Sequence, residues 1–226
     1  VRLSGMALLN IFSNQGVVDN LDRPGAAVAR KPGESPGTFG ATARQSVVGL
    51  EVFGPQWAGA KVSGDMKFDF FGGFPSNPEG VASGLVRLRT AKLVLDWKNV
   101  TVVAGQDAPF FSPLSPTSLA STAYPALSGA GNLWTWTPQV YVERRVGLSD
   151  KSKLVLQSGI LDGFTGELPA EYNREPTAGE RSRMPAYAAR IAWQRTVNDR
   201  TAAFGAGAYY SRQNWGFARR VDGGGA

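Results

Sequence analysis

Along residues 59–71 (GAKVSGDMKFDFF) the ionisable side chains fall on alternate positions: Lys61, Asp65, Lys67 and Asp69, with Ser63 among them. Arg87 and Arg89 stand two residues apart in the run LVRLRTA, and Glu143 and Arg190 sit in two further alternating stretches. What such a set can do is electrostatic. Fixed charges beside water select ions, with Arg and Lys favouring anions and Asp and Glu favouring cations. Covalent chemistry has little to work with. The chain contains no His and no Cys, which removes the Ser-His-Asp triad, thiolates, His-based metal sites and the usual base near neutral pH. No acidic pair can be brought together from the sequence. The chain is therefore not read as an enzyme, and no catalytic residue, metal or cofactor is expected.

The spacing also names the element that must carry these charges. Between them lie Ala60, Val62, Gly64, Met66, Phe68 and Phe70, all apolar or small. A strand points successive side chains to opposite faces, so 60–70 has one oily face and one charged face. Its length suits a tilted strand crossing the hydrocarbon core of a bilayer. A half-buried strand of a soluble sandwich would alternate in the same way, so the neighbouring segments must decide.

The 226 residues suffice for one large all-β domain spanning 1–226, and Gly 28 and Pro 14 suit many strands joined by turns. The net charge of +6 is spread without a Lys/Arg run, which argues against a nucleic-acid partner. No apolar stretch is long enough for a transmembrane helix. The sequence starts at Val1 without a signal peptide and stops in VDGGGA, which reads like the inside of a loop. The expectation is a fragment lacking its signal peptide and closing strands, with a smaller barrel closed by these strands alone as the alternative.

About nine strands are expected, at 1–12, 44–53, 60–70, 85–97, 100–110, 134–145, 153–162, 185–194 and 201–212. Residues 13–43 show no periodicity and read as a loop, as do 72–84, 112–132 and 163–183. In the fourth strand the alternation loses phase near Thr90, Ala91 and Lys92, which a β-bulge would explain. The connections run long, short, long, short throughout. Antiparallel strands joined in that way gather the long loops at one end and the short turns at the other. A soluble sandwich has no reason to do so, whereas an outer-membrane barrel has long extracellular loops and short periplasmic turns. Aromatics near strand ends (Phe53, Trp57, Phe70, Phe71, Trp97, Trp134, Trp136, Trp193 and Trp215) fit interfacial girdles. The expected fold is an antiparallel up-and-down transmembrane β-barrel. In it the charged face must line water, because a one-residue slip would turn Lys61, Asp65, Lys67 and Asp69 into lipid together, at roughly 2–4 kcal/mol for each cation near the midplane.

The segments 41–50 (ATARQSVVGL), 64–73 (GDMKFDFFGG), 86–91 (VRLRTA), 104–111 (AGQDAPFF), 138–142 (PQVYV) and 184–191 (MPAYAARI) resemble those of DcaP-like porins, trimeric channels of Gram-negative outer membranes. The resemblance implies a homotrimer in the bacterial outer membrane with about sixteen strands per chain. It also implies a third extracellular loop folded into the pore. The Ser- and Pro-rich segment 112–132, with Ser112, Ser115, Tyr124 and Asn132, occupies that position. The function expected is passive diffusion of small hydrophilic, preferentially anionic solutes past Lys61, Asp65, Lys67, Asp69, Arg87, Arg89, Glu143 and Arg190. Each of these arginines could instead be a wall residue paired with a neighbouring carboxylate. The alternative function is a secreted or surface β-domain that binds glycans or proteins through its long loops, with Trp134, Trp136, Tyr172 and Trp215 as stacking platforms.

Overall fold

The computed structural model describes residues 1–73, 84–116, 118, 122–125, 128, 133–166 and 175–215. In chain order its elements are β1 (Arg2–Met6), β2 (Asn10–Asn14), β3 (Thr38–Thr42), β4 (Val47–Phe53), β5 (Lys61–Asp69), β6 (Arg87–Asp96), β7 (Val100–Asp107), β8 (Thr137–Ser149), β9 (Ser152–Leu161), α1 (Ala178–Arg181), β10 (Ala186–Val197) and β11 (Arg200–Tyr210). Nine of the strands form one antiparallel sheet in the order β1-β4-β5-β6-β7-β8-β9-β10-β11. The short connections at 54–60, 97–99, 150–151 and 198–199 alternate with long ones. In the last of these turns, of two residues, Asn198 and Asp199 both have positive φ, 48° and 60°. That is the twist a two-residue hairpin needs to match its flanking strands.

The sheet carries the nine expected strands, but the first expected strand and the loop after it are corrected. Residues 1–12 do not form one strand: β1 ends at Met6, and β2 pairs with β3 in a separate two-stranded sheet. The segment 13–43 is therefore not all loop. Hydrophobic alternation misses this hairpin because its two strands bury almost nothing; Ile11 and Phe39 stay exposed. Phe12 faces Gly40 across the pair, and its ring lies where a Cβ on Gly40 would stand. Several other ends also move: the expected fifth strand stops at Asp107, and β8 and β10 extend three or more residues further toward their short turns.

Register divides the sheet into two faces. Asp69, Lys67, Asp65 and Lys61 of β5 stand opposite Val47, Gly49 and Glu51 on one side, and Arg87, Thr90, Lys92 and Asp96 on the other. Gln139, Tyr141, Glu143 and Arg145 continue the same face on β8, as do Gln157 on β9 and Arg190 on β10. The register shifts between Lys67 and Phe68: Lys67 pairs with Thr90 and Phe68 with Leu88, so Arg89 has no partner of its own. This is the bulge that the loss of phase suggested. Its consequence is that Arg87 and Arg89 lie on the same face as Lys92, although strict alternation would put Arg89 and Lys92 on opposite faces.

Burial on these faces is inverted relative to a globular protein. Asp69 is 0% exposed, Gln45 1% and Gln139 4%, whereas on the other face Val140 is 45% exposed, Ile191 48% and Phe204 78%. Every pair of elements in substantial contact is a pair of hydrogen-bonded neighbours. Among the described residues, no second layer covers Val62, Met66 or Phe70. Nor do β1 and β11 pair with each other among them, so the sheet is open. A small apolar core lies on the polar face at the long-loop end, where Phe110 and Phe111 pack on Leu161, Ala186 and Ala188.

Candidate functional site

The charged face is not left bare. The connection from β7 to β8 is laid across it and tied down by two glutamines. At its start, the Gln139 Oε1 accepts from the Phe110 N–H (3.1 Å) and its Nε2 donates to the Ala108 carbonyl (2.7 Å). Further on, the Gln45 Oε1 accepts from the N–H groups of Thr122 (2.8 Å) and Ala123 (3.1 Å), and the Thr122 Oγ1 donates to the Gln45 carbonyl (2.9 Å). Aromatic packing completes the attachment. Phe110 stacks on Tyr141 with centroids 4.6 Å apart, and Phe111 on Tyr209 at 5.3 Å. The loop thus contacts β8 and β11 at one end and the start of β4 at the other.

Under residues 122–125 sits a dense cluster of charge. Arg87 grips Asp69 with two bonds, Nε to Oδ1 at 3.0 Å and Nη2 to Oδ2 at 2.6 Å, and also donates to the Ala123 carbonyl at 2.9 Å. The Phe71 N–H also donates to the Asp69 Oδ1. Arg89 stands further off, with Nη1 3.7 Å from the same carboxylate. Both guanidiniums lie against the Trp136 ring, at 4.9 and 4.8 Å from its centroid. Arg44 pairs with Asp22 and lies 3.8 Å from the Phe71 centroid, while Arg23 lies 4.2 Å from that of Tyr124. Aromatic faces are suited to hold cations in place. The loop that supplies Asp22 is itself braced, since the N–H groups of Ala26 and Gly25 hold the Asp19 carboxyl below its usual range.

Two further clusters occupy the same face toward the short turns. Lys92 pairs with Asp107 and approaches Asp65 at 3.6 Å. Arg145 bonds Asp96 (2.7 Å) and Glu143 (3.3 Å), and the Glu143 Oε2 accepts from Gln157, which in turn accepts from Arg190. Seven of the eight residues expected to line the face are on it by register, and Arg89 reaches it through the bulge, beside Asp69. They are not equivalent. Arg87 is a paired wall residue, whereas Lys67 makes no ion pair among the described residues. Ser115 and Tyr124 line a cavity of about 220 Å³ over Arg89 and Trp136. Ser112 lies nearer the loop's start, where its N–H donates to the Pro109 carbonyl. Asn132 and Tyr172 lie outside the described residues. No group of carboxylates among those residues could hold a metal ion.

Sequence reasoning missed Gln45, Gln139, Lys92, Asp107 and the Arg44–Asp22 pair. Phase was the available signal for Lys92: once Arg89 is counted as a bulge, Lys92 falls inward with Asp96. Compared with protein-family models, curated proteins and solved structures, the chain matches none of them.

One clamp can be tested directly. Gln45→Ala strands the Thr122 and Ala123 N–H groups, and the loss of these bonds should cost about 1–3 kcal/mol. A lowered unfolding midpoint is the expected result. An unchanged midpoint would mean that the loop is held elsewhere.

Proposed function

We propose that this chain forms the wall of an outer-membrane β-barrel porin that passes small hydrophilic anions by diffusion, and that it assembles as a trimer. The observation that carries this reading is the inverted burial: a continuous charged face partly covered by the chain's own loop, opposite an apolar face that none of the described residues covers. Water on the first face and lipid on the second would satisfy both. The outer edges of β1 and β11, which pair with no strand among the described residues, would be costly to leave open in hydrocarbon. The reading therefore requires further strands to close the sheet.

Charge supports anions over cations. On the polar face Arg2, Lys61, Lys67, Arg87, Arg89, Lys92, Arg145, Lys153 and Arg190 outnumber Glu51, Asp65, Asp69, Asp96, Asp107 and Glu143. Among the described residues beneath the loop, Arg23, Arg44, Arg87 and Arg89 lie beside the carboxylates of Asp22 and Asp69. Arg89 is the best placed to meet a passing anion. It is held by ring contact more than by its distant carboxylate, and it borders the cavity beneath the loop.

Planar-bilayer recording under a salt gradient tests the proposal. The expected reversal potential indicates anion preference, and Arg89→Glu should lower the anion-to-cation permeability ratio on the order of tenfold. Each unit charge at contact distance contributes about 1 kcal/mol even in water-like surroundings. Clear cation preference, or no conductance from the full-length protein with its closing strands present, would overturn the reading.

A further inference from the structure

At the long-loop end of the uncovered face, a cleft of about 430 Å³ opens between β8, β9 and the segment leading into β10. Its floor is apolar: Pro138, Val140 and Ile160, with Val140 and Ile160 directly paired across β8 and β9. Its rim carries Glu180, Arg183 and Met184. Glu180 is committed to the capping box of α1, where its Oε2 accepts from the Thr177 N–H at 2.8 Å. The neighbouring Arg181 is turned to the carbonyls of Pro176 and Asn214. Arg183 is different, for its guanidinium makes no hydrogen bond or ion pair among the described residues.

The backbone presents this arginine in an unusual way. Arg183 has φ of +60°, a conformation that disfavours side chains other than glycine's. It is held there by its N–H donating to the Glu180 carbonyl at 3.0 Å, and by Ser182 bonding Met184 through the side-chain oxygen. A cation that has no partner among the described residues thus stands at the rim of an apolar cleft. That division of charge and oil is the division within a lipid, and a guanidinium fork suits a phosphate.

We propose that this cleft holds one acyl chain of a phosphate-bearing lipid, with the phosphate on Arg183. The inference rests on the barrel reading, which puts this end of the uncovered face at head-group level. The site lies on the side away from the charged face and has no part in solute passage.

Native mass spectrometry of the protein released from nonionic detergent can decide, with dioleoyl phosphatidic acid as the probe and dioleoylglycerol as its uncharged counterpart. The expected result is one retained phosphatidic acid per chain and no retained diacylglycerol. Arg183→Gly should cut that retention at least tenfold while folding as well as the parent, since glycine is at ease at this φ. Ile160→Gln, at the floor, should weaken retention with the arginine intact. Undiminished retention in Arg183→Gly would overturn the site, as would a change in oligomeric state without a change in lipid. The two readings fail separately. A variant series that conducts but retains lipid regardless of Arg183 loses only the site. A protein monodisperse without detergent and silent in bilayers loses the barrel, and the site with it.

Discussion

Deleting Arg89 should leave β6 folded, whereas deleting Leu93 four residues later should stop the chain from inserting stably. The contrast follows from the register. Thr90 faces Lys67 and Leu88 faces Phe68 already, so removing Arg89 closes the bulge and leaves every other pair in place. Removing Leu93 also takes up the bulge, but between the deletion and Arg89 each side chain changes face. Lys92 and Thr90 turn outward, and Ala91 turns in. A lysine facing lipid near the midplane costs roughly 2–4 kcal/mol. Asp65 and Asp107 lose their shared cation as well. The sum rivals the whole stability of a typical domain. Refolding yield into detergent micelles reads the difference, and equal yields for the two deletions would mean that this face does not meet lipid. On the porin reading, the Arg89 deletion should still conduct with reduced anion preference, because it takes a cation from the polar face while every paired residue keeps its face.

Strands were legible wherever one face had to be apolar over several residues. The charged face of β5, the outward Tyr187, Ala189, Ile191 and Trp193 of β10, and the alternation of long and short connections could all be read from residue order. Each depends only on neighbours along the chain. The β2–β3 hairpin was not legible, because its stability comes from pairing segments more than twenty residues apart and not from an oily stripe.

The same distinction separates the parts of the site. Lysines and arginines on a polar face could be named from spacing, but their pairing could not. Arg44 finds Asp22, and Gln45 finds Thr122 and Ala123, only after the long connections fold back. A glutamine on the wet face of a strand looks like any other polar residue until a loop arrives. Nothing in its local sequence distinguishes Gln139, which is buried under the loop, from Gln194, which stays near the short-turn end.

The second large effect concerns Arg87. Its partner Asp69 is wholly buried, so Arg87→Met should cost about 3–5 kcal/mol, as breaking a buried ion pair does by stranding one charge. Arg89, at 3.7 Å, and the Phe71 N–H should move the value toward the lower end. Adding Asp69→Asn removes the stranded charge, and the double variant should regain more than half of the loss. Selectivity should follow the same pair of substitutions for a simpler reason. Arg87, Arg89 and Asp69 together carry one net positive charge. Arg87→Met cancels it and Asp69→Asn restores it, so anion preference should fall in the single variant and return in the double. A single variant costing no more than a surface ion pair, about 0–1 kcal/mol, would show that water already reaches Asp69. Stability that recovers in the double while anion preference does not would instead assign the selectivity to the Arg87 guanidinium itself and not to the summed charge beneath the loop.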